Sequence, residues 1–414
     1  MSRRVSSRIA SSHMLGRAGA GASPSVEVSA AAPASKRRRK DSSTASPHFD
    51  LKNGKHAPEH DDPKGRVGVL GTPKQLVSVT TPAETDVGSS SFSSSSVVMV
   101  QVPAGFSLAQ AACSYGYYLV PPNRWEPCKI SKDKDAGTFT RPLRFGERFA
   151  NTAQCIISQV ANSSAGGEGG VALRVDVGAK LTDSDEEDIR RQVVRMFQTT
   201  FDLEPWFALS AEAEGRRYGR LFRSPTVFED MVKSITGCNM KFEGTIRMNK
   251  LLCEEFGCNQ AFPTPEDLEG VEAEDLKVKA KVGYRADRIL RLAKSFRDGT
   301  VDPAWLEGPE RTREEAMKFV KSLYGFGDYA AGNVVMLLGF YEEIPLDSET
   351  VRHFKDYHGV TTKNVKEVAP KAKQQYEPYA PYQFLQYWHE MITWHEKKRG
   401  LEVHLWDARD FSYQ

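Results

Sequence analysis

The 414-residue chain has no apolar run near the roughly 20 residues that a membrane-spanning helix needs. Nothing near its start reads as the apolar core of a secretory signal, so neither membrane insertion nor secretion is expected. Cysteine is sparse: Cys113, Cys128, Cys155, Cys238, Cys253 and Cys258 are the six present, without paired metal-binding spacing. They read as reduced intracellular thiols. An excess of positive charge is also missing where a fold is expected. Residues 1–70 hold 13 Lys and Arg against 6 Asp and Glu, which leaves 43 against 48 for residues 71–414, a net −5 hidden behind the overall +2. Any contact with nucleic acid must then come from a local patch and from backbone amides.

What is present divides the chain. Residues 1–95 are rich in Ser, Ala, Pro and Gly, end in "SSSFSSSS", and carry no sustained apolar period, the composition of a disordered tail. Within them Lys36 to Lys40, "KRRRK", form a dense basic run in a flexible context, as a nuclear import signal requires. Residues 1–26 have arginine and serine with no acid, the character of a transit peptide, so a plastid or mitochondrion is the competing address. From 96 to 215 short β-prone pieces, "VVMVQV", "CIISQV" and "VALRVDV", are broken by Gly and charge, as in "GGEGG" at 166–170, and predict a small antiparallel sheet domain. "TDSDEEDIRRQVVRMFQ" supplies a helix to pack on it, with Ile189, Val193, Val194 and Phe197 on one face.

From 216 to 414 the periods are helical. Ser224 before Pro225 predicts a helix start, followed by the stripe Val227, Phe228, Met231, Val232 and Ile235. "GYRADRILRLAKSF" opens a helix with Ile289, Leu292 and Phe296 inward and its arginines outward. Thr312 and Glu315 form a capping box ahead of Ala316, Phe319, Val320 and Leu323. "YAPYQFLQYWHEMITWHEKK" is the expected last helix. The fold class is therefore α+β: a small antiparallel sheet domain, then an all-helical domain, behind a disordered tail.

Between two of these helices lies "LYGFGDYAAGNVVML", residues 323–337. Gly325 and Gly327 allow a tight turn at positive φ with close approach of a neighbour, and Phe326 between them can plug the core. Amides of such a turn, with the start of the next helix, suit a DNA backbone phosphate, although the same turn also serves as an ordinary helix connection. Asp347, after Ile344-Pro345-Leu346, sits where the next helix needs an N-cap. A carboxylate there can be only a cap, or can face whatever the hairpin grips and stabilise positive charge on a sugar.

Gly325-Phe326-Gly327 with Pro345-Leu346-Asp347 resembles the hairpin and the Gly/Pro-rich loop with aspartate of the HhH-GPD superfamily of base-excision DNA glycosylases. The resemblance runs over about 97–395, where the sheet region, "SITGCNM" and "GYRA" are similar to the layout of the 8-oxoguanine and 3-methyladenine glycosylases. It implies an enzyme that flips a damaged base from duplex DNA and hydrolyses its N-glycosidic bond, with Asp347 as the catalytic carboxylate. Gly325, Phe326 and Gly327 would hold DNA, Asn239 would enter the gap left by the flipped base, and Tyr284 and Arg285 would sit near a phosphate. The implied partner is double-stranded DNA with a damaged base, engaged by a monomer, with no membrane, no cofactor and no metal. Tyr329 stands where bifunctional members carry a nucleophilic lysine, which removes the Schiff base and frees an aromatic face for the base; a core tyrosine is the equal alternative. Glu349 replaces a common histidine beside the DNA. No cysteine follows Cys258, so the iron–sulfur cluster of some relatives is not expected. His389 and His395 are six apart, off one helical face, and do not form the i, i+4 zinc pair.

Two other readings compete. A catalytically silent helix-hairpin-helix protein that only binds DNA fits the net −5, Glu349 and the missing lysine. A bifunctional enzyme would need Lys318 or Lys321, both on the helix before the hairpin.

Overall fold

The computed structural model describes residues 96–161 and 170–411. The tail, its basic run Lys36 to Lys40 and most of the Gly-rich break at 166–170 lie outside the described residues. Five strands, β1 (Ser96–Gln101), β2 (Arg124–Glu126), β3 (Thr138–Phe145), β4 (Asn151–Ala161) and β5 (Val171–Val177), form one sheet in the order β1-β5-β4-β3-β2. Every pairing is antiparallel. Alternation sets one face inward: Val98 and Val100, Cys155 and Ile157, and Val175 and Val177 are all buried. β2 and β3 escape the sequence pattern because β2 is three residues long and β3 interleaves arginines and a proline, "TFTRPLRF".

Nine helices of nine or more residues stand among the described residues: α1 (Asp183–Phe197), α2 (Val227–Gly237), α3 (Phe242–Phe256), α4 (Ala286–Arg297), α5 (Arg313–Ser322), α6 (Asp328–Leu337), α7 (Ser348–Asp356), α8 (Val365–Tyr376) and α9 (Gln383–Arg399). The α+β class read from the sequence holds, a five-stranded antiparallel sheet followed by helices. α1 starts at Thr182, whose hydroxyl and the Asp185 carboxylate cap reciprocally, and it covers the sheet with Ile189, Val193, Met196 and Phe197. The expected start of α2 at Ser224 is two residues early. Thr226 is the cap, its hydroxyl accepting from the Glu229 amide, while the Ser224 amide instead donates to Asp230 at 2.8 Å.

Two apolar cores result. The first joins the inner face of the sheet to α1 and to the C-terminal helices through Met336, Tyr341, Phe354, Tyr376, Leu385 and Trp406. The second lies among α2, α4, α5 and α6, with Phe228, Ile235, Ile289, Val320, Phe326 and Tyr329. α6 contributes to both, because its mean hydropathy is high all round rather than on one stripe. Its N-terminal turn belongs to the second core, and its C-terminal end and the loop leading on to α7 pack on the first.

Candidate nucleic-acid interface and catalytic carboxylate

α5 begins at the Thr312–Glu315 capping box and ends at Leu323, after which the Phe326 amide donates to the Leu323 carbonyl at 3.2 Å. Gly325 has φ +93°, and a Cβ there would fall 2.5 Å from Cδ of Arg288, so both the backbone and the crossing arginine require glycine. Gly327 departs from the expectation of a second positive φ. It lies at φ −87° and ψ −176°, with open space where a Cβ would go, and caps α6 by accepting the Ala331 amide at 2.9 Å. Its exposure leaves the start of α6 approachable. Phe326, 5% exposed, is the plug into the second core.

Around this turn the surface is aromatic and basic. Tyr284 and Tyr324 are about half exposed, the Arg288 guanidinium lies 4.9 Å from the Tyr284 ring centre, and Arg291 lies 4.3 Å from that of Tyr324. Asn239 Nδ2 donates to the Tyr284 hydroxyl at 3.4 Å. The strip from Asn239 through Tyr284 and Arg288 to Gly325, Tyr324 and Arg291 is a local basic and aromatic patch on a part of the chain, residues 71–414, that is net negative. Arg288 and Arg291 face outward, as their phase against Ile289 and Leu292 predicts, but no motif marked them as a pair with tyrosines.

Arg285 is not at the surface. It is 3% exposed and donates from Nε to the Ile235 carbonyl at 3.2 Å, and from Nη2 to the carbonyls of Cys238 and Asn239. Instead of meeting a phosphate it ties down the end of α2, where Asn239 takes a left-handed conformation at φ +50° just past the cap Cys238. It holds the segment that carries Asn239.

Asp347 caps α7. Its Oδ1 accepts the Thr350 amide at 2.9 Å, and the Asp347 amide donates to the Thr350 hydroxyl at 3.3 Å. A cap alone is ordinarily exposed, yet Asp347 is 2% exposed. Burial, seconded by the charge of Glu349, pushes its carboxyl up to about 7 against the pull of hydrogen bonds from Thr350 and the Glu349 amide. Tyr115 and Tyr387 lie close enough for the Asp347 charge to raise both phenols, after burial itself. The Tyr387 hydroxyl meets that of Thr350 at 3.2 Å. Glu349 is also buried and is gripped by Arg352, whose Nε donates at 2.9 Å, so it does not present a bare acid to DNA.

Tyr329, in the first turn of α6, is 7% exposed and belongs to the second core. One turn on, Asn333 donates to the Tyr329 carbonyl at 2.9 Å and accepts from the Tyr115 hydroxyl at 3.4 Å. Tyr115 in turn packs on Tyr117 at 4.9 Å and on Trp388 at 5.1 Å, and the Trp388 indole donates to the Ser114 carbonyl at 2.9 Å. Tyr115, which feels the Asp347 charge, thus connects it to this aromatic and amide set. Sequence reasoning missed Tyr115, Asn333 and Trp388, which come from a short helical turn before β2, from mid-α6 and from α9. Two clefts of about 750 and 650 Å³ have other linings, so electrostatics and not cavity size marks this centre.

No family model and no curated protein matches the sequence. Solved structures do match. One is MBOgg1 in complex with a low-affinity DNA ligand, at TM-score 0.51 and 18% identity over 73% of this chain and 96% of that one. Another is the 3-methyladenine DNA-glycosylase from Archaeoglobus fulgidus, at TM-score 0.51 and 17% identity over 71% and 98%. With its antiparallel sheet followed by helices, the chain has the fold that it shares with MBOgg1 and the Archaeoglobus fulgidus 3-methyladenine DNA-glycosylase.

Proposed function

We propose that this protein is a DNA N-glycosylase of base excision repair, which flips a damaged base from duplex DNA and hydrolyses its glycosidic bond without lyase chemistry. The observation that carries the reading is Asp347: a buried cap carboxylate raised to about 7, set among Tyr115, Tyr387 and Thr350, beside a hairpin with an exposed basic and aromatic strip. A carboxylate in so dry a place stabilises a cationic sugar far more than one in water would. The hairpin strip would hold backbone phosphates, Asn239 would occupy the gap in the stack, and Tyr115, Trp388 and Tyr329 would receive the base.

Two observations about the amines support hydrolysis over Schiff-base chemistry. Position 329 is a tyrosine, and the Lys321 ammonium is paired with the Asp328 carboxylate on the hairpin surface. In this reading Glu349 leaves DNA contact to other groups, being held by Arg352. The tail would carry the protein to the nucleus through Lys36 to Lys40, with a plastid or mitochondrion as the alternative address.

One observation favours the silent DNA-binding alternative: Asp347, Tyr115, Tyr329 and Asn333 are each at most 7% exposed, so a base reaches Asp347 only if side chains such as Tyr115 move aside. Excision separates the two. A panel of duplexes with oxidised, alkylated and deaminated bases, developed with and without alkali, should give strand breaks for some lesion only after alkali. Breaks without alkali would overturn the assignment as monofunctional, and no release from any lesion would leave a binding protein.

A further inference from the structure

We propose that His353, His358 and Glu390 form a binding site for one divalent transition-metal ion of the zinc type, bracing the helix that Asp347 caps. His353 is on α7, His358 lies just after that helix, and Glu390 is on α9; their ligand atoms all lie within 4.8 Å of one another. Oε2 of Glu390 is 3.3 Å from Nε2 of His353 and 3.0 Å from Nε2 of His358. Ligands bound tetrahedrally at zinc distances of about 2.0–2.1 Å are separated by about 3.3 Å, so the two oxygen–nitrogen separations already match the spacing such an ion imposes.

A phenol joins the three groups. The Tyr376 hydroxyl donates to the same Oε2 at 2.6 Å and lies 3.2 and 3.1 Å from the two imidazole nitrogens. Gln386 Nε2 donates to the other carboxylate oxygen, Oε1, at 2.9 Å. Without an ion one imidazole would donate to the Tyr376 oxygen and the other to Oε2. A cation among the three groups would replace both of those bonds. Each imidazole presents a lone pair instead of a proton, and Oε2 uses one lone pair for the ion and the other for Tyr376. Nδ1 of His353 is buried with no hydrogen-bond partner, and with Nε2 on the ion it would carry the ring proton.

The set is one carboxylate and two imidazoles, which suits zinc and its first-row neighbours better than magnesium or calcium. Gln386 and Tyr376 fix the carboxylate from outside, as supporting groups do around bound ions. His353 is fully buried and Glu390 nearly so, while the His358 side chain is 13% exposed and gives a way in. Asp347 is fewer than two turns from His353 along the same helix, so the ion would hold the far end of α7 against α9. It takes no part in the chemistry proposed above.

The test uses the full-length chain, stripped with a chelator and dialysed. Cobalt(II) is the probe: one equivalent per chain should give the intense visible absorption of a tetrahedral site, displaced by one equivalent of zinc chloride. Zinc should raise the melting temperature by several degrees. His358→Gln, chosen because its side chain borders solvent, should weaken cobalt and zinc binding at least about 10-fold and leave the melting temperature of the metal-free protein unchanged. Glu390→Gln should also lose the cobalt band. A weak octahedral spectrum in the wild type, or equal binding by wild type and His358→Gln, would overturn the site. Should a variant not fold, the wild-type cobalt spectrum alone decides.

Discussion

Replacing Asp347 by Asn tests the buried carboxylate through stability before any substrate is needed. Asn caps helices as well as Asp, so the Thr350 amide keeps its acceptor and the fold should survive. What changes is the ionisation. In the folded chain the carboxyl titrates near 7 rather than near 3.8. A raised folded pKa means that stability is fully present below pH 4, where both states are protonated, and is lost as pH rises through 7, because the unfolded chain releases its proton first. The span of about 3 pH units corresponds to about 4 kcal/mol as an upper figure, since one pKa unit is about 1.4 kcal/mol. Asn has no such loss. Urea unfolding from pH 4 to pH 8 should therefore show the two proteins nearly equal at pH 4 and Asp347→Asn more stable by about 2–4 kcal/mol at pH 8. A stability difference that does not change with pH would refute the argument that burial holds this acid neutral. Single-turnover excision should move the other way, falling on the order of 100-fold in the variant. In the wild type, the rate should rise with pH through about 7 as the carboxylate form appears. Undiminished excision would remove Asp347 from the mechanism.

Arg288→Ala with Arg291→Ala should weaken duplex binding for all sequences alike and lower the slope of log affinity against log salt by about 2, if each arginine meets one phosphate; an unchanged slope would place the DNA elsewhere. Gly325→Ala should cost the fold about 1–2 kcal/mol, since it forces a positive φ and displaces Arg288. Gly327→Ala should change stability by less than about 1 kcal/mol yet impair DNA binding, because its Cβ would stand where a phosphate comes in; wild-type affinity would exclude that approach. Tyr329→Lys should yield a borohydride-trapped DNA adduct if the side chain reaches the sugar, and its absence would place residue 329 away from the reacting carbon. Deleting Lys36 to Lys40 should move a tagged protein from nucleus to cytoplasm, and an unchanged nuclear signal would leave that run without a role in import.

The helices were legible wherever local chemistry alone decides them. Thr312 and Glu315 cap α5 as their spacing states, and the apolar phases of α1 and α4 match their buried faces. Ser224-Pro225 misled because Asp230, six residues on, binds the Ser224 amide and draws that segment into a turn, so Thr226 takes over the cap. An acceptor six residues away is invisible to a rule that scores each residue separately.

The site divides along the same line. Gly325 and Asp347 were readable because one turn and one cap need those residue types at those places. Arg285 was legible as important and was misassigned, since an arginine before a helix looks solvated until α2 is seen to aim three carbonyls at it. Tyr115, Asn333 and Trp388 carry no local signal, because each is an apolar or amide residue in an apolar stretch and acquires meaning only from the others, 218 and 274 residues apart in the pairs Tyr115–Asn333 and Ser114–Trp388. The raised pKa of Asp347 belongs to this second kind. Its neighbours Glu349 and Thr350 are local, but the dominant cause is burial, and Tyr115 and Tyr387, which feel its charge, come from distant parts of the chain, so the sequence could name the carboxylate and not the environment that would make it reactive.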